Sequence, residues 1–259
     1  MGKLDEKVAV ITGCASGLGK QHALRFATEG AKLAICDIQE AKLAETKRLC
    51  EERGAEVVAL GCDVGQYEEL VTFVEATADR FGTIDILLNN AHKITELRPF
   101  LDSSAEDLSI ELHTSLYASW HMMKLCFPYM RDKPGAGASI INTASKGGVE
   151  GTRFHAAYAA AKEGIRGLSR VVAREWGEFN IRVNTVSPGG WTDNVTSQLH
   201  ERSPEVQEWA RAAFKDNPFG RIGDPYEDVS PIVVFLASDE SHWMTGQNVH
   251  ADGGVWIGA

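Results

Sequence analysis

Short runs of aliphatic and β-branched residues alternate with longer segments of helical periodicity along most of this 259-residue chain. KVAVITG (7–13) reads as a buried strand and GLGKQHALRFATEG (17–30) as a helix ending at Gly30. AKLAICD (31–37) and AKLAETKRLCEERG (41–54) repeat the pair, and AEVVALGCDV (55–64), YEELVTFVEATADRFG (67–82) and IDILLNNA (84–91) continue it. A long helical segment over 104–131 leads to ASIINTAS (138–145), a helix over 154–177 and the strand IRVNTVSPG (181–189). Strands that are apolar on both faces need helices on both faces, so this pattern implies an α/β fold with a doubly wound parallel sheet. The segment 190–223 breaks the rhythm. It carries Pro204 and Pro218 and the aromatics Trp191, Trp209, Phe214 and Phe219, and reads as a mostly helical insertion over the sheet edge. A helix over 225–237 and a strand near QNVHADGG (247–254) end the chain. Nothing resembles a linker, so 1–259 is read as one domain with a lid insertion at 190–223.

TGCASGLG (12–19) joins the first strand to the first helix. Gly13, Gly17 and Gly19 let the backbone approach a pyrophosphate, and the helix opening at Ser16, Gly17 and Leu18 offers it free N–H groups. Strand, turn and helix together make a Rossmann-like dinucleotide site the expected reading. Asp37, with Ile38 beside it, ends the second strand. A carboxylate there accepts the adenosine ribose hydroxyls and repels a 2′-phosphate, which favours NAD, although a helix-capping Asp fits the same place. Asp63 and Val64 follow the third strand, placed for the adenine edge or for capping the next helix. Asn89, Asn90 and Ala91 end the fourth strand, where the amides can bond backbone and ribose.

In open α/β sheets ligands lie beyond the carboxyl ends of the strands. Ser145 is at such an end. Thirteen residues later Tyr158 opens a helix, and Lys162 follows one turn on, on the same face. Hydride transfer to a carbonyl builds charge on oxygen and needs a proton donor. A free phenol titrates near pH ~10, and an adjacent ammonium is expected to lower it. Ser145 can donate a second hydrogen bond to the same oxygen.

With these motifs together the chain resembles the short-chain dehydrogenase/reductases over essentially its whole length. The resemblance rests on TGCASGLG, Asp37, Asp63-Val64, Asn89-Asn90-Ala91, Ser145, the Tyr158/Lys162 pair and NTVSPGG (184–190). It implies Tyr158 as general acid/base, Ser145 as oxygen-positioning donor, and Lys162 as the group that lowers the tyrosine pKa and binds ribose. It also implies that the turn at Pro188, Gly189 and Thr192 contacts the nicotinamide, and that the chain is a homotetramer using helices 104–131 and 154–177. Two positions depart from the family. His92 replaces a glycine, which puts an imidazole at the site entrance. Ser115 stands where an asparagine normally holds a relay water. A narrower resemblance, to bacterial 12α-hydroxysteroid (bile-acid) dehydrogenases, rests on AYAAAKEGIRGLSR (157–170), Ser115, the missing glycine and GRIGDP (220–225).

The expected activity is therefore NAD-dependent interconversion of a secondary alcohol and a ketone on a bulky apolar molecule. His92, Ser145, Tyr158 and Trp191 would contact the substrate, and the lid aromatics either line a pocket or pack the lid. Another bulky, sugar-derived or carrier-bound ketone, for which Lys93, Arg98, Lys146 and Arg153 are the candidate contacts, is the alternative. Outside enzymes, the alternative is a nucleotide-binding sensor. The formal net charge of −10 argues against nucleic acid and against anionic membranes. Five cysteines without a C-x-x-C pair suggest neither a disulfide framework nor a metal site, and fit a reduced, cytoplasmic setting.

Overall fold

The computed structural model describes residues 2–131, 133, 137–200 and 204–258. Its strands are β1 (Val8–Thr12), β2 (Lys32–Asp37), β3 (Val57–Gly61), β4 (Ile86–Asn89), β5 (Ala138–Thr143), β6 (Ile181–Pro188) and β7 (Asn248–Ala251). They pair in parallel in the order β3-β2-β1-β4-β5-β6-β7. The order reverses between β1 and β4, and a cleft opens at their carboxyl ends. The helices are α1 (Gly17–Thr28), α2 (Glu40–Glu51), α3 (Tyr67–Phe81), α4 (Ala105–Glu111), α5 (Ala118–Met130), α6 (Lys146–Glu150), α7 (Ala156–Trp176), α8 (Asp193–His200), α9 (Pro204–Lys215) and α10 (Ser230–Ala237).

Alternating strand residues feed two apolar layers. Ala9, Ile11, Leu33, Ile35, Ile86 and Leu88 pack with α1, α2 and α10. Val10, Ala34, Cys36 and Leu87 point the other way, against α3, α5 and α7. Each fully buried Leu or Ile contributes roughly 2 kcal/mol. The five cysteines are buried, unpaired thiols. No described helix is long and apolar enough to cross a membrane.

The structure departs from the sequence reading in two places that matter for the site. The helix expected over 104–131 widens to a π-helical stretch, Leu112–Tyr117, between α4 and α5. There His113 Nδ1 donates to Ser109 O at 2.7 Å and Thr114 Oγ1 to Ile110 O at 2.9 Å, so side chains compete with amides for the preceding carbonyls. Immediately after β5, the short helix α6 was not expected from its paired glycines. It forms because Ser145 Oγ accepts the Gly147 amide at 3.0 Å, and it stops at Gly151, whose φ is 68°.

His22 joins the two ends of the chain inside the fold. It is 1% exposed on α1, and its Nδ1 meets Ser230 Oγ of α10 at 2.8 Å. The Ser230 hydroxyl donates to Pro225 O, so the imidazole is the donor. Burial pushes His22 down to about 3, whereas an unfolded histidine titrates near ~6.5. The unfolded state therefore binds the extra proton, and stability falls as pH drops below that unfolded value. Between pH ~7 and pH ~5 this single group should cost about 2 kcal/mol. Urea melts of the wild type and His22→Gln should therefore converge by that amount over the interval. Parallel pH dependences would contradict the buried neutral histidine.

Candidate active site

Side chains tie the carboxyl ends of β1 and β4 together. Thr12 Oγ1 accepts the amides of Asn90 at 3.1 Å and Ala91 at 3.0 Å, and Asn90 Nδ2 donates to Thr12 O at 3.0 Å and Gly13 O at 3.2 Å. The turn this creates has no room for side chains. A Cβ on Gly19 would lie 1.9 Å from Gly13 O and 2.5 Å from Asn90 Nδ2, and Gly13 itself has a φ of +75°. Asn89 lies within the sheet and donates to Asn142 at 2.8 Å, so its amide is turned into the sheet rather than to the cleft.

At the opening of α1, Ser16 makes no side-chain capping bond. The Gly17 amide instead donates to the Asp193 carboxylate, 2.8 Å away on α8. A carboxylate therefore occupies the place that the helix terminus offers to a diphosphate, which shows that this position accepts an anion. Asp37 is held by the amides of Ala15 and Gln39, each at 2.9 Å, and Ile38 is exposed beside it. Asp63 Oδ1 accepts the Gly65 amide at 2.9 Å, so it shapes the turn before α3 while still lining the cleft with Val64. Together these residues bound a cleft of about 680 Å³ that runs from Asp37 past Gly13 and Asn90 to Tyr158, Pro188 and Thr192. Donors at the turn, a carboxylate at the β2 end and a helix terminus between them fit an NAD molecule.

The other end of the cleft carries the proton chemistry. Ser145 follows β5, and Tyr158 projects from the first turn of α7. Lys162, 1% exposed, donates from Nζ to Thr143 O at 2.9 Å and lies 5.6 Å from the centroid of the Tyr158 ring. Burial pushes Lys162 down to about 8, while the Glu111 charge pulls it up. The sequence reading expects Tyr158 below its ordinary value. Here burial outweighs that tendency and holds the phenol above it, with the Ser145 hydroxyl lowering it and Glu111 raising it. His92 and His155 flank the phenol, each ring 5.9 Å from it. His92 lines the cleft mouth with its side chain exposed; loss of water on the side of its ring that faces the cleft, and the Lys162 charge, press its pKa downward.

The remaining expected residues are placed unevenly. Ser115 is 1% exposed in the π-helical stretch, with no hydrogen-bond partner for its Oγ. Gly189 turns away from the nucleotide cleft: its amide donates to Ala251 O at 2.8 Å and its α-carbon packs on Asp252. Trp191 does not line the cleft. Its Nε1 donates to Thr196 at 2.8 Å and its ring meets Phe214 edge-on at 5.1 Å, which joins α8 to α9. The side chain of Trp209 lies outside the described residues. Phe214 and Phe219 line a second cavity of about 810 Å³ that opens beside Ser145 and Pro188. The sequence reading missed two acids, Asp193 and the buried Glu111. Glu111 stands one turn before Ser115, and that spacing was the available signal.

Comparison with known proteins follows the same lines. Residues 13–256 match a family model described as enoyl-(acyl carrier protein) reductase. The chain is 36% identical, over 98% of both lengths, to a 12α-hydroxysteroid dehydrogenase from Clostridium sp.. It superposes with a TM-score of 0.90 and 32% identity on the crystal structure of a putative short-chain dehydrogenase/reductase from Burkholderia xenovorans, covering 98% of each chain. It also superposes with a TM-score of 0.87 and 30% identity, over 97% of this chain and 94% of the other, on a 7α-hydroxysteroid dehydrogenase complexed with NADH and 7-oxo glycochenodeoxycholic acid. Matched along its length and built around a dinucleotide turn with a serine, tyrosine and lysine at its far end, the chain belongs to the short-chain dehydrogenase/reductase family and is an NAD-dependent oxidoreductase.

Proposed function

We propose that the protein interconverts a secondary alcohol and a ketone on a bulky, cyclic, largely apolar molecule, with a hydroxysteroid of the bile-acid type the best-fitting class. The observation that carries this reading is the convergence of Ser145, Tyr158 and Lys162 at the open end of the dinucleotide cleft. When bound, NAD supplies or accepts the hydride. Tyr158 gives its proton to the developing oxyanion in reduction and takes it back in oxidation. Ser145 Oγ accepts the Gly147 amide, and its own hydrogen, directed at the Tyr158 phenol, would pass to a substrate oxygen placed between the two. Lys162, anchored on Thr143 O, faces the phenol with positive charge.

The substrate class is supported by the cavity beside Ser145, with Phe214, Pro218, Phe219, Ile232 and Val255 in its wall. His92 at the mouth of the cleft adds a polar contact. The similarity to two hydroxysteroid dehydrogenases points the same way. A carrier-bound substrate finds less support, because two of its four candidate contacts are neutralised, Arg98 by Glu96 and Lys146 by Glu150, which leaves Lys93 and Arg153.

The experiment is NADH formation by purified protein with NAD and bile acids that differ in hydroxyl position, alongside simple cyclic alcohols. Turnover selective for one bile-acid hydroxyl is expected, and no turnover of any steroid would overturn the substrate class. Tyr158→Phe should lower kcat roughly 10²- to 10⁴-fold while leaving NAD affinity within about threefold. Retained turnover would overturn the assignment of the acid/base.

A homotetramer is the assembly proposed. Tyr117, Trp120 and Val171 are 43%, 48% and 53% exposed on the faces of the π-helical stretch, α5 and α7. Light scattering should give about four times the 28.2 kDa chain mass, and a monomer would contradict it.

A further inference from the structure

Lys162 is a fully buried ammonium with one hydrogen bond, to Thr143 O, and no ion pair among the described residues. An ammonium has three donors, and a charge in the interior needs a counter-charge. Glu111 is the complementary case. It is 0% exposed at the end of α4, its Oε1 accepts the Thr95 amide at 2.7 Å and the Thr95 hydroxyl at 3.2 Å, and its Oε2 has no partner. Two more buried oxygens without partners lie on neighbouring elements, the π-helical stretch and β5. Ser115 Oγ is one turn beyond Glu111, and Thr143 Oγ1 belongs to the residue that holds Lys162. α4, which ends at Glu111, packs on α7, which carries Lys162, and just beyond α4 Leu116 of the π-helical stretch sits on Gly164 of α7, where a Cβ would come within 2.9 Å of it.

We propose that Glu111 is a positioning residue for the Tyr158–Lys162 pair, its buried carboxylate being the counter-charge that keeps Lys162 an ammonium. This inference rests on Tyr158 and Lys162 being the catalytic pair. The Ser115 hydroxyl carries no charge and cannot do the same. The titratable groups facing Lys162 are Glu111 from α4, Tyr158 from α7 itself and His92 from the segment after β4, while His155 faces Glu111 from the start of α7. Burial holds Glu111 above the usual carboxylate range, and its Thr95 bonds and the charges of Lys162 and His155 offset that rise only in part. The Glu111 charge also raises Tyr158 directly, which opposes phenolate formation. Its benefit to catalysis must therefore pass through Lys162.

Removing the negative charge lowers Lys162, so neutral lysine forms at lower pH and the alkaline side of any activity that needs the ammonium is lost first. Glu111→Gln is the test variant, because the amide oxygen still accepts from Thr95 while the charge is gone. Lysine ¹³Cε NMR, with the Lys162 signal identified by Lys162→Met, reads the titration without any substrate. The Lys162 midpoint should fall by roughly one pH unit in Glu111→Gln. Glu111→Asp should restore it, and the alkaline limb of kcat for the reduction of a cyclic ketone should move with it. An unchanged midpoint in Glu111→Gln overturns the proposal. The wild type supplies a second arm that needs no variant to fold: Lys162 should titrate near 8, and a midpoint well below neutrality also overturns it. Activity of Tyr158→Phe tests the catalytic reading separately, so either can fail while the other stands.

Discussion

The Thr12–Asn90 clamp between β1 and β4 is the constraint on which the rest of the site depends. Parallel strands flanking a topological switch diverge at their carboxyl ends, and something must fix how far. Here two backbone amides converge on one hydroxyl and one side-chain amide spans two carbonyls. The spacing that results leaves no volume for a Cβ at Gly19. It aims the start of α1 at the cleft and sends the chain through Ala91 and His92 toward Tyr158. Nucleotide end and proton end are thus two sides of one strand junction.

The second constraint is electrostatic. Lys162 lies in a nearly dry interior, where burying an ammonium costs several kcal/mol unless compensated. Its bond to Thr143 O, the facing π-electrons of Tyr158 and the Glu111 carboxylate form the compensation this chain provides. The same dryness holds the Tyr158 phenol up rather than down. A spacing argument from sequence sees the ammonium beside the phenol but not the water that Lys162 has lost and Tyr158 has partly lost.

Much of this was legible in the residues. The β/α alternation fixed a doubly wound parallel sheet, because strands that are apolar on both faces have few other solutions. The glycine turn, Asp37 and the Ser145, Tyr158 and Lys162 set could be placed at strand ends, since each is local to one strand–turn–helix unit. What escaped depends on which partner each side chain finds, sometimes in a distant segment and sometimes within a turn. Asp193 meets Gly17 across 176 residues, and no local pattern marks an acid near the start of a helix as an anion stand-in. Glu111 lies one turn before Ser115, but its burial depends on Thr95 and on the packing of α4 against α7, which the spacing alone does not reveal. Trp191 looked like a substrate contact because aromatics suit apolar ligands, yet its indole N–H found Thr196 and its ring found Phe214. The π-helical stretch arises from His113 and Thr114 bonding back to carbonyls, a competition that periodicity does not reveal.

The account's central claim is that one cleft at the β1–β4 junction holds the whole dinucleotide, with its reactive end at Tyr158. A crystal structure of the NAD complex tests it most directly. The diphosphate should lie on the Gly17 amide with the Asp193 carboxylate displaced, the adenosine ribose should meet Asp37, and the nicotinamide end should lie beside Tyr158. A bound dinucleotide that leaves Asp193 on Gly17, or whose nicotinamide lies away from Tyr158, would contradict it.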